Sequence, residues 1–334
     1  MSGQMVVHVG FGKTGSSSLQ AYLSKVIDVK GVDRQYKYCC IDSQGNVLTD
    51  HALSTKAGIN ALGYEISSPE ICSIADLSTT RRALESIWEQ GFVPILSQED
   101  WARRAGEFYA ADFWKRLGVK VHVVAYVRPQ VEWMNSAWWQ WFAWEKDFFS
   151  VRDVTNAWGL NFLKWGAQLS NWKNMGGVES VSVRLQARDI VSDFVIGELG
   201  GEVDARVGVS RANVSLPPML VKAMMLNKRL RRNLGSKVDA KLSRLVQSRE
   251  KTPWVIDREY ASYLLEHLRK DNVELSDFLC ERDKQLFFDS PRWWKLDAYN
   301  DDFERLLSSF DLSDAEKDAL IAKLIEQLVN VDER

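Results

Sequence analysis

His8-Val9-Gly10-Phe11-Gly12-Lys13-Thr14-Gly15-Ser16-Ser17-Ser18-Leu19-Gln20 is the stretch that decides how this 334-residue chain folds. Val6–Val9 is apolar but for His8 and runs into Gly10, which predicts a short buried strand. Gly10–Gly15 follows as a loop. Ser16–Val26 carries Leu19 and Leu23 on one helical face and predicts a helix. A strand, a glycine-rich loop and a helix in that order suit an anion. Helix-start amides and the helix dipole attract phosphate, and glycines let the backbone wrap it. Lys13 can lie against a phosphate oxygen. The order is not that of a Walker A motif, which places Lys directly after its second glycine. Here Lys13 precedes Gly15, so a P-loop-type nucleotide kinase is the alternative reading.

Outward from this loop, strand and helix patterns alternate. Strands are predicted at Tyr36–Asp42, Phe92–Leu96, Val119–Val127 and Val178–Leu185, with a turn at Ser43–Asn46. Helices are predicted at Ser78–Gln90, Phe108–Leu117, from about Val131 onward, and at Asp189–Leu199. The alternation implies an α/β fold, a three-layer core with a mainly parallel sheet. From about Pro217 strand signals stop and helical patterns dominate. The expected division is an α/β core over 1–216 and a helical C-terminal extension over 217–334, packed on the core. Ser313-Asp314-Ala315-Glu316 reads as a capping box ahead of Leu320, Leu324 and Leu328.

The order Lys13-Thr14-Gly15-Ser16-Ser17, after a strand and His-x-Gly, resembles the phosphosulfate loop of sulfotransferases that use 3′-phosphoadenosine 5′-phosphosulfate (PAPS). Bacterial members of that family often read Lys-Thr-Gly-Thr-Thr-Ser-Leu-Gln there. Gly12 departs from the proline often found before the lysine, and Ser16 and Ser17 keep the hydroxyls of the threonines. The resemblance implies that Lys13 stabilises the leaving phosphate oxygen, and that Thr14, Gly15, Ser16 and Ser17 hold the 5′-phosphate. Arg128 closes the strand Val119–Val127, and Ser136 follows after seven intervening residues. An Arg at that end of a strand can fork onto phosphate. The spacing resembles the family's 3′-phosphate element. Arg211-Ala212-Asn213-Val214-Ser215-Leu216 resembles a late nucleotide-side loop. It reads equally well as a turn before the helix near Pro217. The resemblance runs from Val6 to about Pro217.

Transfer to a hydroxyl or amine also needs a base. Glu99, in Leu96-Ser97-Gln98-Glu99, is close in form to the Leu-Ser-Ser-Glu of bacterial relatives and stands at a strand's carboxyl end. It reads equally as a helix-start carboxylate near Trp101. His51, in a loop after Asp50, is the competing base. His8 reads as a buried structural histidine, and His122 and His267 sit away from a strand's carboxyl edge.

Composition narrows the classes further. A formal net charge of −2 argues against general nucleic-acid binding. Met5–Val9 is too short for a signal or a membrane span. The four Cys lack C-x-x-C spacing and are expected as reduced, buried thiols, which fits a cytoplasmic protein. No metal is required by a transfer whose leaving group is a nucleotide phosphate. Trp158, Phe162, Trp165, Leu169 and Trp172 fall on one helical stripe and are expected to pack. Trp138, Trp139, Trp141, Phe142 and Trp144 point all round a helix, so some should line a cleft or an oligomer surface. Flat aromatic walls suit sugar rings, as in a glycan or glycolipid, or apolar acceptors. Lys222, Lys228, Arg229, Arg231, Arg232, Lys237 and Lys241 read as a solvated basic face. A non-catalytic adenosine-bisphosphate-binding module is the remaining alternative.

Overall fold

Met5, Val6, Val7 and Val9 build the strand around which the sheet is laid. In the computed structural model they lie in β1 (Gly3–Val9), and all four are buried. The structure describes residues 3–60, 62–145, 147–186, 189–208, 218–226, 252–307 and 311–322. Arg211–Leu216, the basic residues 228–241, Leu324, Leu328 and the expected boundary at 216/217 lie outside them.

The chain divides into two compact units. The first comprises Met1–Pro129, Leu160–Ala212 and His267–Trp294; the second comprises Gln130–Gly159, Asn213–Glu266 and Lys295–Arg334. The first unit holds β1, α1 (Ser16–Val26), β2 (Asp28–Lys30), β3 (Gln35–Tyr38), β4 (Cys40–Ile41), β5 (Val47–Leu48) and α2 (Asp50–Ile59). It continues with α3 (Ser78–Glu89), β6 (Phe92–Gln98), α4 (Ala105–Ala110), α5 (Phe113–Leu117) and β7 (Val119–Val127). In the second unit lie α6 (Gln130–Gln140) and α7 (Val151–Trp158). The first unit resumes with α8 (Trp165–Lys173), β8 (Val178–Leu185) and α9 (Ile190–Ser192).

The main sheet has the order β2-β3-β6-β1-β7-β8. Only the β2–β3 edge is antiparallel; β3–β6, β6–β1, β1–β7 and β7–β8 all run parallel. Consecutive residues Val123 to Val127 of β7 are all buried, so both faces of the sheet are covered, as parallel sheets require. On one face Val6, Val124 and Tyr126 pack with Leu19 and Leu23 of α1 and with Ile190, Val191 and Phe194. A second buried group joins Trp101, Phe108, Phe113, Trp114 and Trp172 through stacked and edge-on ring contacts.

The structure departs from the sequence pattern at several elements. Tyr36–Asp42 is two strands: β4 leaves the main sheet and pairs with β5 across a turn in which Asp42 Oδ1 accepts from the amides of Gln44 and Asn46. Phe108–Leu117 is two helices, broken where Asp112 takes a left-handed φ of 46°. Asp189–Leu199 is α9 followed by a π-helical turn over Asp193–Glu198. The tryptophan stripe is not one helix: Gly159, at φ 69°, ends α7, and Trp158 is 48% exposed while Trp165, Leu169 and Trp172 are buried.

In the second unit, the helix with Trp138 and Trp139 ends at Gln140, before Trp141, Phe142 and Trp144. Trp138, Trp139 and Phe142 are buried, whereas Trp141 and Trp144 are partly exposed, and Trp139 Nε1 donates to the Pro253 carbonyl at 2.7 Å. Lys222 pairs with Glu316 at 2.9 Å, and Glu316 closes the expected capping box with Ser313. Among the described residues no helix is long and apolar enough to cross a membrane.

Candidate functional site

Four adjacent parallel strands, β6, β1, β7 and β8, end on one edge of the sheet. The chain leaves β1 for one side of the sheet, returns to β6, and crosses to β7 on the other side. That is a topological switch point, where ligands of open α/β sheets bind. The residues that follow these four strands are Glu99 after β6, the Gly10–Ser17 turn after β1, Arg128 after β7 and Gln186 after β8.

The turn after β1 has an unusual backbone. Gly12 and Lys13 are both left-handed, at φ 65° and 52°, and Gly15 at φ 103° caps α1. For Lys13 this conformation costs about 1–2 kcal/mol, so its neighbours must hold it. The Lys13 carbonyl accepts from Arg128 Nη1 at 3.3 Å and from Gln186 Nε2 at 3.4 Å. Arg128 is thus tied to the Lys13 turn through the backbone. Gly10 permits the close approach of β6: a Cβ there would lie 2.6 Å from Ser16 Oγ and 2.9 Å from Glu99 Cα.

Within the turn, Thr14 Oγ1 and Ser16 Oγ are buried and have no hydrogen-bond partner among the described residues. A buried hydroxyl left so costs on the order of 1–3 kcal/mol. The Ser18 and Leu19 amides donate to the Gly15 carbonyl at 2.9 and 3.3 Å, which leaves the Ser16 and Ser17 amides at the helix start without a carbonyl one turn earlier. Two such hydroxyls at a helix start, beside a lysine, fit an anionic group such as a phosphate.

Glu99 lies in the electrostatic reach of Lys13. Part of its side chain meets solvent, but burial of the carboxyl pushes its pKa up; the Lys13 charge opposes this, Asp100 adds to it and Arg103 opposes it. Asp100 itself pairs with Arg103 and Arg104 at 2.5 and 2.8 Å.

Tyr64 joins the site without any sequence signal. Its phenol donates to Ser17 Oγ at 3.3 Å, and burial, with the Glu99 charge, raises its pKa. Ser136 lies in the second unit, half-buried on α6.

The other candidate bases stand elsewhere. His51 is on α2, not in a loop, and is exposed, because α2 starts at Asp50. His8 is fully buried as expected, 2.8 Å from Ser97 Oγ, and burial lowers its pKa to about 4. His122 Nε2 meets Glu198 Oε1 at 2.5 Å. Cys39, Cys40 and Cys72 are buried free thiols, whereas Cys280 is exposed, against expectation.

No family model matches the sequence, and no curated protein matches it. Among solved structures the chain is similar to a sulfotransferase from Alicyclobacillus acidocaldarius, at 16% identity, over 83% of this chain and 96% of that one, with a TM-score of 0.36.

Proposed function

We propose that the chain is a sulfotransferase that moves a sulfuryl group from PAPS to a hydroxyl or amine, a glycan or glycolipid among the candidates. The observation that carries this reading is the pair of buried, unpartnered hydroxyls, Thr14 Oγ1 and Ser16 Oγ, in the turn that also holds Lys13. They fit the 5′-phosphate side of such a donor, with the amides and hydroxyls of Thr14 to Ser17 as its cradle. Arg128 is assigned to the 3′-phosphate; the assignment of Ser136 to the same group rests on its spacing in the sequence.

The donor supplies an activated sulfur ester whose leaving group is a phosphate. Lys13 sets positive charge where the leaving oxygen gains negative charge, an interaction stronger in the transition state than in the ground state. Glu99 takes the proton of the acceptor. Its raised pKa brings it nearer to neutrality, which suits a general base.

Ligand-dependent melting tests the reading. Adenosine 3′,5′-bisphosphate should raise the melting temperature by mass action, and more than AMP or ATP does. Equal shifts from the bisphosphate and AMP would remove the 3′-phosphate assignment of Arg128. A larger shift from ATP with Mg²⁺ would favour the kinase alternative.

A further inference from the structure

The segment that carries Tyr64 is not a helix or a strand, yet it is fastened at nearly every residue. The Glu65 amide donates to Ser24 Oγ at 3.2 Å, and the Glu65 carbonyl accepts from Tyr38 Oη at 2.9 Å. Ser67 Oγ accepts from the Ile41 amide at 3.0 Å, and the Ser68 amide donates to the Ile41 carbonyl at 2.7 Å. The Ser67 carbonyl accepts from Gln98 Nε2 at 2.6 Å, and the Ser68 carbonyl accepts from Trp101 Nε1 at 3.2 Å. These anchors come from α1, β3, β4, the end of β6 and the turn after it. The strap therefore ties the Glu99 side of the site to α1. From this strap Tyr64, which is 8% exposed, reaches the anion turn through its phenol.

We propose that Tyr64 is a positioning residue of the anion site: its phenol donates to Ser17 Oγ and thereby directs the Ser17 proton toward the bound 5′-phosphate. A serine hydroxyl has a single proton. When a neighbour's O–H occupies one of its lone pairs, that proton is left to donate to the ligand. Burial keeps the Tyr64 phenol protonated, so it acts as a donor at neutral pH. The inference rests on the adenosine-bisphosphate reading above.

Calorimetric titration of adenosine 3′,5′-bisphosphate and of adenosine 3′-monophosphate tests it, on wild type, Tyr64→Phe, Ser17→Ala and the double variant. Tyr64→Phe keeps the ring and its packing and removes only the donor. It should bind the bisphosphate roughly fivefold to tenfold more weakly, the size of one hydrogen bond. Binding of the 3′-monophosphate, which has no 5′ group, should be unchanged, a separation that a merely structural role would not give. In the Ser17→Ala background Tyr64→Phe should add less than about twofold, because the shared bond is already gone. Equal bisphosphate binding by wild type and Tyr64→Phe overturns the inference, as does an undiminished effect in the Ser17→Ala background. Should Tyr64→Phe fold poorly, Ser17→Ala alone approaches the same bond from its other end, and no selective loss of bisphosphate binding there also overturns it. Failure of wild type to bind the bisphosphate at all would instead defeat the functional reading itself.

Discussion

The Lys13 charge acts on Glu99 and opposes the rise in pKa that burial causes. Glu99 keeps its proton to higher pH in the folded protein than in the unfolded chain, because burial outweighs the Lys13 charge. The folded state thus binds the proton more tightly, and its advantage is lost as pH rises from the unfolded pKa through the folded one. Above that window the Glu99 charge is a standing cost to stability. Glu99→Gln should therefore melt at the same or a higher temperature at pH 7. It should lose transfer activity by on the order of a hundredfold, as for other general bases. Scanning fluorimetry and a transfer rate on one preparation check both halves. A variant that melts lower yet keeps its rate would make Glu99 a structural carboxylate of the turn at Trp101–Arg104. His51→Ala belongs in the same experiment, and its exposure on α2 predicts a rate close to wild type.

At the scale of elements, the contact between the β1–α1 turn and the end of β6 assembles the site, and Gly10 is its tightest point. Gly10→Ala should cost about 1–3 kcal/mol, the range of overpacking changes, because its Cβ would meet the Glu99 backbone at 2.9 Å. Gly106, inside α4 with open space around it, is the control. Gly106→Ala should be neutral or stabilising by about 0.5–1 kcal/mol through helix propensity. Denaturant unfolding of both variants measures the contrast, and equal effects would refute the tight approach at Gly10. These same elements were the legible ones. Ser16–Val26, Val119–Val127 and Val178–Leu185 are read to the residue, α1 from Leu19 and Leu23 and β7 from its β-branched run, which the structure buries on both faces. Periodicity misled where single backbone angles intervene, at Asp112 between α4 and α5 and at Gly159 after α7. It was silent on Tyr64 and Gln186. Tyr64 comes to the site on an irregular segment and Gln186 directly after β8, and each is held by a side-chain bond to a residue distant in sequence that no local pattern encodes.

Across the whole molecule, the parallel order β6-β1-β7-β8 brings residues 13, 99, 128 and 186 to one sheet edge although they are far apart in the chain. A formal net charge of −2 leaves the positive charge needed for a nucleotide to local residues such as Lys13 and Arg128 rather than to a basic surface. Binding the nucleotide and transferring sulfur are separate properties, and only the second makes the chain an enzyme. The most direct measurement uses PAPS carrying ³⁵S, incubated with the protein and the small-molecule and glycan fractions of a host-cell extract, with mass spectrometry of the labelled product. A PAPS-dependent sulfotransferase should place label on a hydroxyl- or amine-bearing acceptor with a sulfate-sized gain in mass, and Lys13→Ala should abolish it even when that variant is saturated with donor. Tight binding of adenosine 3′,5′-bisphosphate with no label transferred to any fraction would contradict this reading and leave a nucleotide-binding module in its place.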